Sequence, residues 1–334
     1  MTRANNEPAS AAPDNRRWTA DAVPALAGRV AVITGAKTGI GLETACLLAA
    51  RGATIVLGCR DIQKAGRAAD QIRIRAGAEP ARVSVVHLDL ASLESVRRAA
   101  VEIRASFRRL DVLINNAAVM RPPHQRSADG FDLTFATNHL GHFALTGLVL
   151  DRLAATPGSR IVTVSSIGHR DGMMRFDDLQ FDRGYQADGA YAQSKLANLL
   201  FTYELQARLQ AAGMPTIALA AHPGLARTAL WRWDPLPVRI LASRVLLPLT
   251  FWLAQSPRMG ALPALRAATD PAARGGEYYG PGGWREYTGH PVRVESSAAS
   301  HDVAARHRLW QVSEQLTGVS YRLELPTGLA DYGR

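Results

Sequence analysis

Residues 29–41 of the 334-residue chain read RVAVITGAKTGIG, a short apolar stretch followed by a turn with three glycines. Residues 29–34 are apolar and rich in β-branched side chains, as in a strand that is buried on both faces. From Gly39 to residue 51 the apolar residues return at helical spacing. The sequence therefore predicts a strand, a glycine-rich turn and a helix in direct succession.

The same strand-then-helix pattern repeats along the chain. Further strands are predicted at 53–59, 82–88, 111–116, 159–165, 216–222 and 277–280. The intervening and following helices are predicted at 61–76, 92–107, 128–155, 189–212 and 300–316. Because continuous apolar strands need cover on both faces, this alternation predicts parallel strand–helix–strand units. Right-handed crossovers then give an α/β fold, a doubly wound parallel sheet of the Rossmann type with helices on both faces.

The predicted domain organisation is simple. Residues 1–20, rich in Ala, Pro, Asn and Arg, are expected to form a mobile N-terminal tail. Residues 21–334 are expected to form a single catalytic domain, since no linker divides them. Prolines and large apolar residues break the rhythm over about 225–270, a segment that we call the lobe.

Composition and charge argue against several classes of protein. Hydrophobic residues make up 47% and charged residues 20%, a balance typical of a soluble globular protein. Two cysteines are too few for a disulfide framework and fit a reducing compartment, so we expect a cytoplasmic protein. The net charge of +10 is scattered without a basic run, which argues against nucleic acid as a partner. Neither a secretory signal nor an apolar run of about 20 residues is evident.

The turn at 34–41, TGAKTGIG, predicts a site for a dinucleotide. Gly35 allows a tight turn, Gly39 lets the backbone approach a pyrophosphate, and Gly41 permits close packing of helix on strand. The helix N-terminus then offers free N–H groups to the phosphates. Contacts with the cofactor are predicted for Gly35, Lys37, Thr38, Gly39, Ile40 and Gly41.

The end of the second strand predicts which dinucleotide binds. NAD-binding folds place a carboxylate there, about 20 residues on, to hold the ribose 2′-hydroxyl. Here Cys59 and Arg60 occupy the end of the strand, and Asp61 is expected to cap the next helix. Arg60 suits a 2′-phosphate through charge-assisted pairing, and Lys37 can reach the same group. We therefore predict NADP(H), with NAD(H) as the less favoured alternative.

Polar or small residues follow several of the predicted strands. Residues 115–118 (NNAA), 165–166 (SS) and 222–224 (HPG) lie at the carboxyl edge of the sheet, where open α/β folds bind ligands. Tyr191 and Lys195 are four residues apart on a predicted helix and therefore share one face. We expect these groups to meet at one site.

As a set, these motifs resemble the short-chain dehydrogenase/reductase family over roughly residues 29–230. The resemblance rests on TGAKTGIG (34–41), Asp89-Leu90, NNAA (115–118), Asn138 in TNHLGHF, Ser166, YAQSK (191–195) and HPG (222–224). Segments such as DLTFATNHLGHFALT and AYAQSKLANLLFTYEL are similar in particular to the branch of retinol dehydrogenase, protochlorophyllide reductase and WW-domain oxidoreductase.

The resemblance implies an oxidoreductase that interconverts a carbonyl and an alcohol by hydride transfer. Tyr191 would exchange a proton with the substrate oxygen, and Lys195 would lower the pKa of the Tyr191 phenol. Ser166 would hydrogen-bond the substrate oxygen, and Asn138 would hold a water that links Lys195 to solvent. The resemblance implies further cofactor contacts at Asp89, Leu90, Asn116, Ala117, Pro223, Gly224 and Thr228.

Other functions on this scaffold stay open at this point. An NAD-dependent epimerase or dehydratase usually spaces its glycines differently, and a non-catalytic NADPH-binding sensor or scaffold tends to lose Tyr or Lys. We predict no metal site, because His139 and His142 lack Cys or carboxylate partners at ligand spacing, and we interpret both as structural.

The apolar segment 229–265 has three interpretations. Its Trp, Leu and Phe side chains would form a pocket wall for a lipophilic substrate, which we favour. Alternatively the segment would lie on a membrane surface as a peripheral contact, or pack in a core or an interface. By analogy alone, helices 127–155 and 189–212 would pair in a homodimer.

Overall fold

The computed structural model describes residues 17–79, 82–226 and 254–323. Within these residues, eight strands form one sheet in the order β3-β2-β1-β4-β5-β6-β7-β8, and every neighbouring pair is parallel except the last. The strands are β1 (Val30–Thr34), β2 (Thr54–Cys59), β3 (Val83–His87), β4 (Val112–Asn115), β5 (Arg160–Val164), β6 (Ile217–Ala221), β7 (Tyr278–Pro281) and β8 (Pro291–Arg293). The doubly wound sheet expected from the sequence is confirmed.

Helices cover both faces of this sheet. They are α1 (Gly39–Ala49), α2 (Ile62–Ala76), α3 (Leu93–Ser106), α4 (Leu133–Phe135), α5 (Gly141–Ala154), α6 (Ala187–Ala211), α7 (Pro257–Thr269) and α8 (Val303–Thr317). A π-helical stretch, Ala136–Leu140, joins α4 to α5 and contains Asn138. The predicted cap of α2 is confirmed, since the Asp61 carboxylate accepts from the Lys64 N–H at 3.0 Å.

Alternating residues of each strand supply two cores. In β1, Ala31 and Ile33 pack with α1, α2 and α7 on one face of the sheet. Val30 and Val32 pack with α3, α5 and α6 on the other face. All five residues of β1 are buried, because a parallel strand covered on both faces has no exposed side. This explains the continuous apolar run at the start of the sequence.

The order of the strands determines where on the sheet a ligand site is expected. The chain moves outward from β1 through β2 to β3, then returns to form β4 on the other side of β1. The carboxyl ends of β1 and β4 are therefore neighbours at the point where the winding reverses. Open α/β sheets bind ligands in the crevice outside this switch point.

Two details at the edges of the fold differ from expectation. Trp18 is buried in the core beside α1, so residues 17–20 belong to the folded body and not to the tail. The antiparallel strand β8 was not predicted, because three residues are too few to show a period. The rest of the predicted tail, residues 1–16, and most of the lobe, residues 227–253, lie outside the described residues.

The C-terminal part of the chain covers helices that we expected to face a second subunit. Trp310 of α8 packs edge-on against Phe143 of α5, and Tyr321 packs on Phe143 and Phe201. The Tyr321 hydroxyl donates to the Phe143 carbonyl at 2.6 Å. Part of the shared face of α5 and α6 is therefore occupied within the chain. In the part of the chain described, no helix combines the length and the apolar character needed to cross a membrane.

Candidate active site

A cavity of about 350 Å³ runs along the carboxyl edge of the sheet. The predicted site residues that line it are Gly35, Lys37, Thr38, Gly39, Ile40, Gly41, Arg60, Asp89, Leu90, Asn116, Ala117, Tyr191, Lys195 and Pro223. Asn138, Ser166 and Gly224 lie beside the cavity without lining it, and Thr228 falls outside the described residues. The fold thus brings the glycine turn and the Tyr191–Lys195 pair to one cleft.

The glycine turn depends on its glycines for two physical reasons. Gly35 and Gly39 have φ values of 69° and 62°, in the left-handed region that side chains disfavour. Gly41 is needed for close packing, because a Cβ there would lie 2.6 Å from Asn116 Nδ2. That nitrogen donates to the Thr34 carbonyl at 2.8 Å, which ties the asparagine turn to the glycine turn. The N-terminus of α1 is thereby held open toward the cavity.

Two cationic side chains, those of Lys37 and Arg60, lie at the end of the cavity that borders the carboxyl end of β2. Lys37 and Arg60 both line it, and the Arg60 side chain is 62% exposed with its NH1 3.9 Å from Asp89 Oδ2. The hydrogen bond from Lys64 lowers the pKa of Asp61 to about 2, and this carboxylate does not line the cavity. Asp89 is the one acid among the described residues that line it. Positive charge therefore predominates at this end of the cavity.

Lys195 lies one helical turn after Tyr191 on α6. Its ammonium nitrogen is 5.8 Å from the centre of the Tyr191 ring and donates to the Val164 carbonyl at 2.9 Å. The side chain is only 2% exposed, and burial lowers the pKa of Lys195 to about 7. A cation in this low-dielectric position interacts strongly with a phenolate nearby.

The two serines after β5 have different surroundings. The Ser165 hydroxyl donates to the Lys195 carbonyl at 2.8 Å and is buried. The Ser166 hydroxyl accepts from the Gly168 N–H at 3.1 Å. A Cβ placed on Gly168 would lie 3.5 Å from both Ser166 Oγ and Tyr191 Cε1, so both groups lie beside the same glycine. Ser165 lines the cavity and Ser166 does not, and the assignment of Ser166 as the serine that contacts substrate stays a prediction.

The Asn138 side chain is held by three hydrogen bonds. Its Nδ2 donates to the Val119 carbonyl at 2.9 Å and to Ser194 Oγ at 2.9 Å, so both amide hydrogens are used. Its Oδ1 accepts from the Val119 N–H at 2.8 Å. The side chain therefore joins the loop after β4, which lines the cavity, to α6. The expected role of Asn138 in holding a water stays a prediction.

His142 connects this asparagine to the glycine turn. Thr34 Oγ accepts from the Asn116 and Ala117 N–H groups, each at 2.9 Å, so its own hydrogen goes to His142 Nε2 at 2.8 Å. His142 Nδ1–H then donates to the Asn138 carbonyl at 3.0 Å. Burial lowers the pKa of His142 to about 4, so the ring is neutral near pH 7. The only sign of this link in the sequence is that His142 follows Asn138 by four residues, on the same face of a predicted helix.

The predicted structural role of the histidines agrees with these bonds. His139 Nε2 lies 2.8 Å from Ser313 Oγ, within a buried cluster of aromatic rings. Among the residues that the structure describes, no group of three or more His, Cys, Asp or Glu side chains is placed to hold a metal ion.

Sequence reasoning missed one wall of the cavity. Met120, Pro122 and Gln125, in the loop after β4, line it together with Leu133 and Thr137. The Tyr185 hydroxyl donates to the Pro122 carbonyl at 2.8 Å, which anchors this loop to the segment before α6. No period or motif marks such a loop, because only its tertiary contacts place it at the site.

Gly224 does not line the cavity, and packing alone requires a glycine at this position. Its N–H donates to His222 Nδ1 at 3.2 Å, and a Cβ there would lie 2.3 Å from the Tyr287 carbonyl oxygen. The glycine is therefore required by the packing of the 282–290 loop against this turn. Its neighbour Pro223 does line the cavity.

Comparisons with known proteins agree with this geometry. The family model described as short chain dehydrogenase matches residues 29–234. Human retinol dehydrogenase 13 is 43% identical over 297 residues, covering 88% of this chain and 86% of that protein. Human retinol dehydrogenase 12 is 40% identical over 296 residues, covering 89% of this chain and 88% of that protein.

One solved protein structure is similar to this chain in both sequence and fold. An uncharacterised protein from Mycobacterium paratuberculosis is 40% identical to this chain, with a TM-score of 0.75, and the match covers 92% of this chain and 100% of that one. The fold, the family model and these relatives all point to one group of nicotinamide-dependent enzymes. The chain belongs to the short-chain dehydrogenase/reductase family, in its retinol dehydrogenase branch, and is an oxidoreductase that acts on alcohol or carbonyl groups.

Proposed function

We propose that the protein is an NADP(H)-dependent oxidoreductase that interconverts a carbonyl and an alcohol on a lipophilic small molecule, with Tyr191 as the acid and base. One observation carries the proposal: Tyr191 and Lys195 line the same cavity as the glycine turn and Arg60. A reacting carbonyl beside Tyr191 would therefore lie next to a dinucleotide held along the cleft.

The residues of the cavity fit NADP(H). The glycine turn and the N-terminus of α1 would hold the pyrophosphate. Arg60 and Lys37 would hold the 2′-phosphate, while the Asp61 carboxylate is engaged at the cap of α2. When bound, the cofactor supplies the hydride in reduction or accepts it in oxidation.

Tyr191 would donate its proton to the substrate oxygen during reduction and recover it during oxidation. A free tyrosine has a pKa of about 10, which makes it a weak acid near pH 7. The buried Lys195 ammonium, 5.8 Å from the ring centre, would favour the phenolate and so lower the proton-transfer barrier. Ser166, which like the Tyr191 ring lies beside Gly168, would hydrogen-bond the substrate oxygen as charge develops on it.

We propose a lipophilic substrate because much of the cavity wall is apolar. Val119, Met120, Pro122 and Leu133 line the same cavity as Tyr191. The relatives named retinol dehydrogenase support an alcohol or aldehyde of the retinoid class as the first candidate. Steroids, fatty aldehydes and polyketides have the same combination of a carbonyl and an apolar body.

The test measures oxidation of NADPH and of NADH at 340 nm against a panel of lipophilic aldehydes, ketones and quinones. We expect turnover with NADPH preferred. Tyr191→Phe should lower kcat by about 100-fold or more while NADPH still binds, as followed by cofactor fluorescence. Tyr279→Phe is the matched control, because the Tyr279 hydroxyl donates to Glu277, the residue before β7, and Tyr279 does not line the cavity.

Each other outcome has a definite meaning. NADPH binding without turnover on any compound would favour a non-catalytic NADPH sensor over an enzyme. A preference for NADH would show that Arg60 and Lys37 do not select the cofactor. Full turnover in Tyr191→Phe would remove the acid–base role from this residue.

A further inference from the structure

The loop after β7 packs against the active-site edge although it lies beyond the segment matched by the family model, which ends at residue 234. Its Tyr287 carbonyl accepts from the Leu225 N–H at 2.9 Å. Gln255 links the same regions, since its Nε2 donates to the Pro223 carbonyl at 2.7 Å and its Oε1 accepts from the Gly289 N–H at 3.1 Å. The loop is therefore attached to the turn that borders the cofactor cavity.

Glu286, in this loop, bonds two pieces of the active site with one carboxylate. Its Oε1 accepts from Arg170 at 2.7 Å, and Arg170 lies in the helical turn Ile167–Asp171, which Ser166 caps. Its Oε2 accepts from His222 Nε2 at 3.0 Å, and His222 precedes the cavity residue Pro223. Each oxygen serves a different strand end, that of β5 and that of β6.

The position of the hydrogen on the His222 ring determines which group donates in its bond with Glu286. Its Nδ1 accepts from the Gly224 N–H at 3.2 Å, so the ring hydrogen is on Nε2 and points to Glu286. The ring has little room to move, because a Cβ on Gly280 would lie 2.0 Å from Nε2. Burial raises the pKa of Glu286, but the hydrogen bonds from His222 and Arg170 outweigh it and leave the pKa below its usual range.

The backbone of Glu286 provides a second, independent observation. Arg285 and Glu286 have φ values of 51° and 58°, in the left-handed region where glycine and asparagine are favoured. A glutamate therefore stands where a shorter residue would fit the backbone better. Strain of this kind persists where surrounding contacts require it and is concentrated at functional sites.

We propose that Glu286 is a positioning residue for the reaction, which holds the turn of Ser166 at a set distance from the Pro223 turn through Arg170 and His222. The inference rests on the proposed function, because Ser166 acts on substrate only in that mechanism. A parallel contact limits the expected effect: His169 Nδ1 lies 2.6 Å from the Ser166 carbonyl, and its Nε2 accepts from the Ser297 N–H at 3.0 Å. Loss of Glu286 should therefore displace the turn without unfolding it.

The test compares Glu286→Gln and Glu286→Asn with the wild type. A glutamine side chain has one acceptor oxygen and one NH₂ donor. Because Arg170 and His222 are both donors, one of them would face the NH₂ group and lose its hydrogen bond. Asparagine suits the left-handed backbone yet is one methylene too short to reach both partners. We expect kcat to fall by about tenfold in both variants, with the NADPH Kd changed less than about twofold. The loss of these bonds should lower the melting temperature of Glu286→Asn, and the relief of backbone strain should offset part of that fall.

Glu295→Gln is the control, because Glu295 is an exposed acid in the segment after β8. It should leave kcat unchanged. A lower melting temperature with unchanged kcat in the Glu286 variants would overturn the proposal and make the residue a structural contact only.

A second readout separates this inference from the proposed function. Amide hydrogen exchange should become faster at residues 166–171 and 222–225 in both Glu286 variants but not in Glu295→Gln, whether or not a substrate is known. Unchanged exchange at 166–171 would overturn the positioning role. If the wild type lacks turnover on the whole panel but the exchange changes, the proposed function fails while the link through Glu286 stands.

Discussion

Lys195 carries its ammonium nitrogen 5.8 Å from the centre of the Tyr191 ring, and that nitrogen donates to the Val164 carbonyl. The side chain is buried, and burial lowers its pKa to about 7. A buried amine costs stability when it is charged, so a hydrophobic residue would suit this position better for folding alone. Its presence beside Tyr191 is what a catalytic role would require.

Replacing Lys195 should raise the stability of the protein at pH 6 while it lowers the activity. Because the folded pKa of Lys195 is below its unfolded value of 10.5, the unfolded chain binds the extra proton between about pH 7 and 10.5. Wild-type stability should rise with pH across that window, and Lys195→Met should lose this rise. We expect Lys195→Met to melt about 2 °C or more higher than wild type at pH 6, with kcat lowered about 100-fold. Thermal unfolding from pH 6 to 9 checks this, and a lower melting temperature at pH 6 would contradict it.

The two serines after β5 should respond differently to the same change. Ser166→Ala should lower kcat by about 100-fold, because its hydroxyl is the proposed partner of the substrate oxygen, and the loss of its cap on the Ile167–Asp171 turn should cost about 0.5–1 kcal/mol. Ser165→Ala removes the buried bond to the Lys195 carbonyl and should cost about 1 kcal/mol of unfolding free energy. Steady-state kinetics and urea denaturation on both variants measure the contrast. The assignment would be reversed if Ser165→Ala showed the larger loss of kcat at full stability.

Arg60 should decide the cofactor. Arg60→Ala should raise the KM for NADPH by about tenfold and leave the KM for NADH nearly unchanged, since only the former has a 2′-phosphate. Parallel titrations with the two cofactors measure this. Arg98→Ala is a suitable control, because it removes an exposed arginine that pairs with Glu94 on α3. Equal effects on both cofactors would place Arg60 away from the 2′-phosphate.

Buried histidines should make the protein sensitive to acid. Burial lowers the pKa of His139 to about 3, of His142 to about 4 and of His169 to about 4. Since the unfolded pKa is 6.5, their stabilisation is complete above that pH and is lost as the pH falls toward 4. Each should add about 1.4 kcal/mol per pH unit to the slope of unfolding free energy in that window.

Urea midpoints between pH 7 and 4 measure this slope. His142→Gln should be less stable at pH 7 but have a shallower dependence on pH, because one proton is no longer taken up on unfolding. An unchanged slope in this variant would mean that His142 titrates normally in the folded protein.

Much of the architecture could be predicted because it is local. The apolar run at 29–34 and the glycines at 35, 39 and 41 specify a buried strand and a tight turn through their own conformational preferences. Strand β8 could not be predicted, since three residues have no measurable period. The burial of Trp18 could not be predicted either, because the core to which it belongs includes residues far along the chain, such as those of α7.

The doubly wound sheet, the glycine turn and the choice of Tyr191, Lys195 and Ser166 as candidate residues follow from the sequence alone, because strand and helix periods and motif spacing are properties of neighbouring residues. The link that Glu286 makes between the ends of β5 and β6 is visible only in the tertiary structure. Its two hydrogen bonds join Glu286 to residues 116 and 64 positions away, and the spacing of residues along the chain does not show which distant segments pack together.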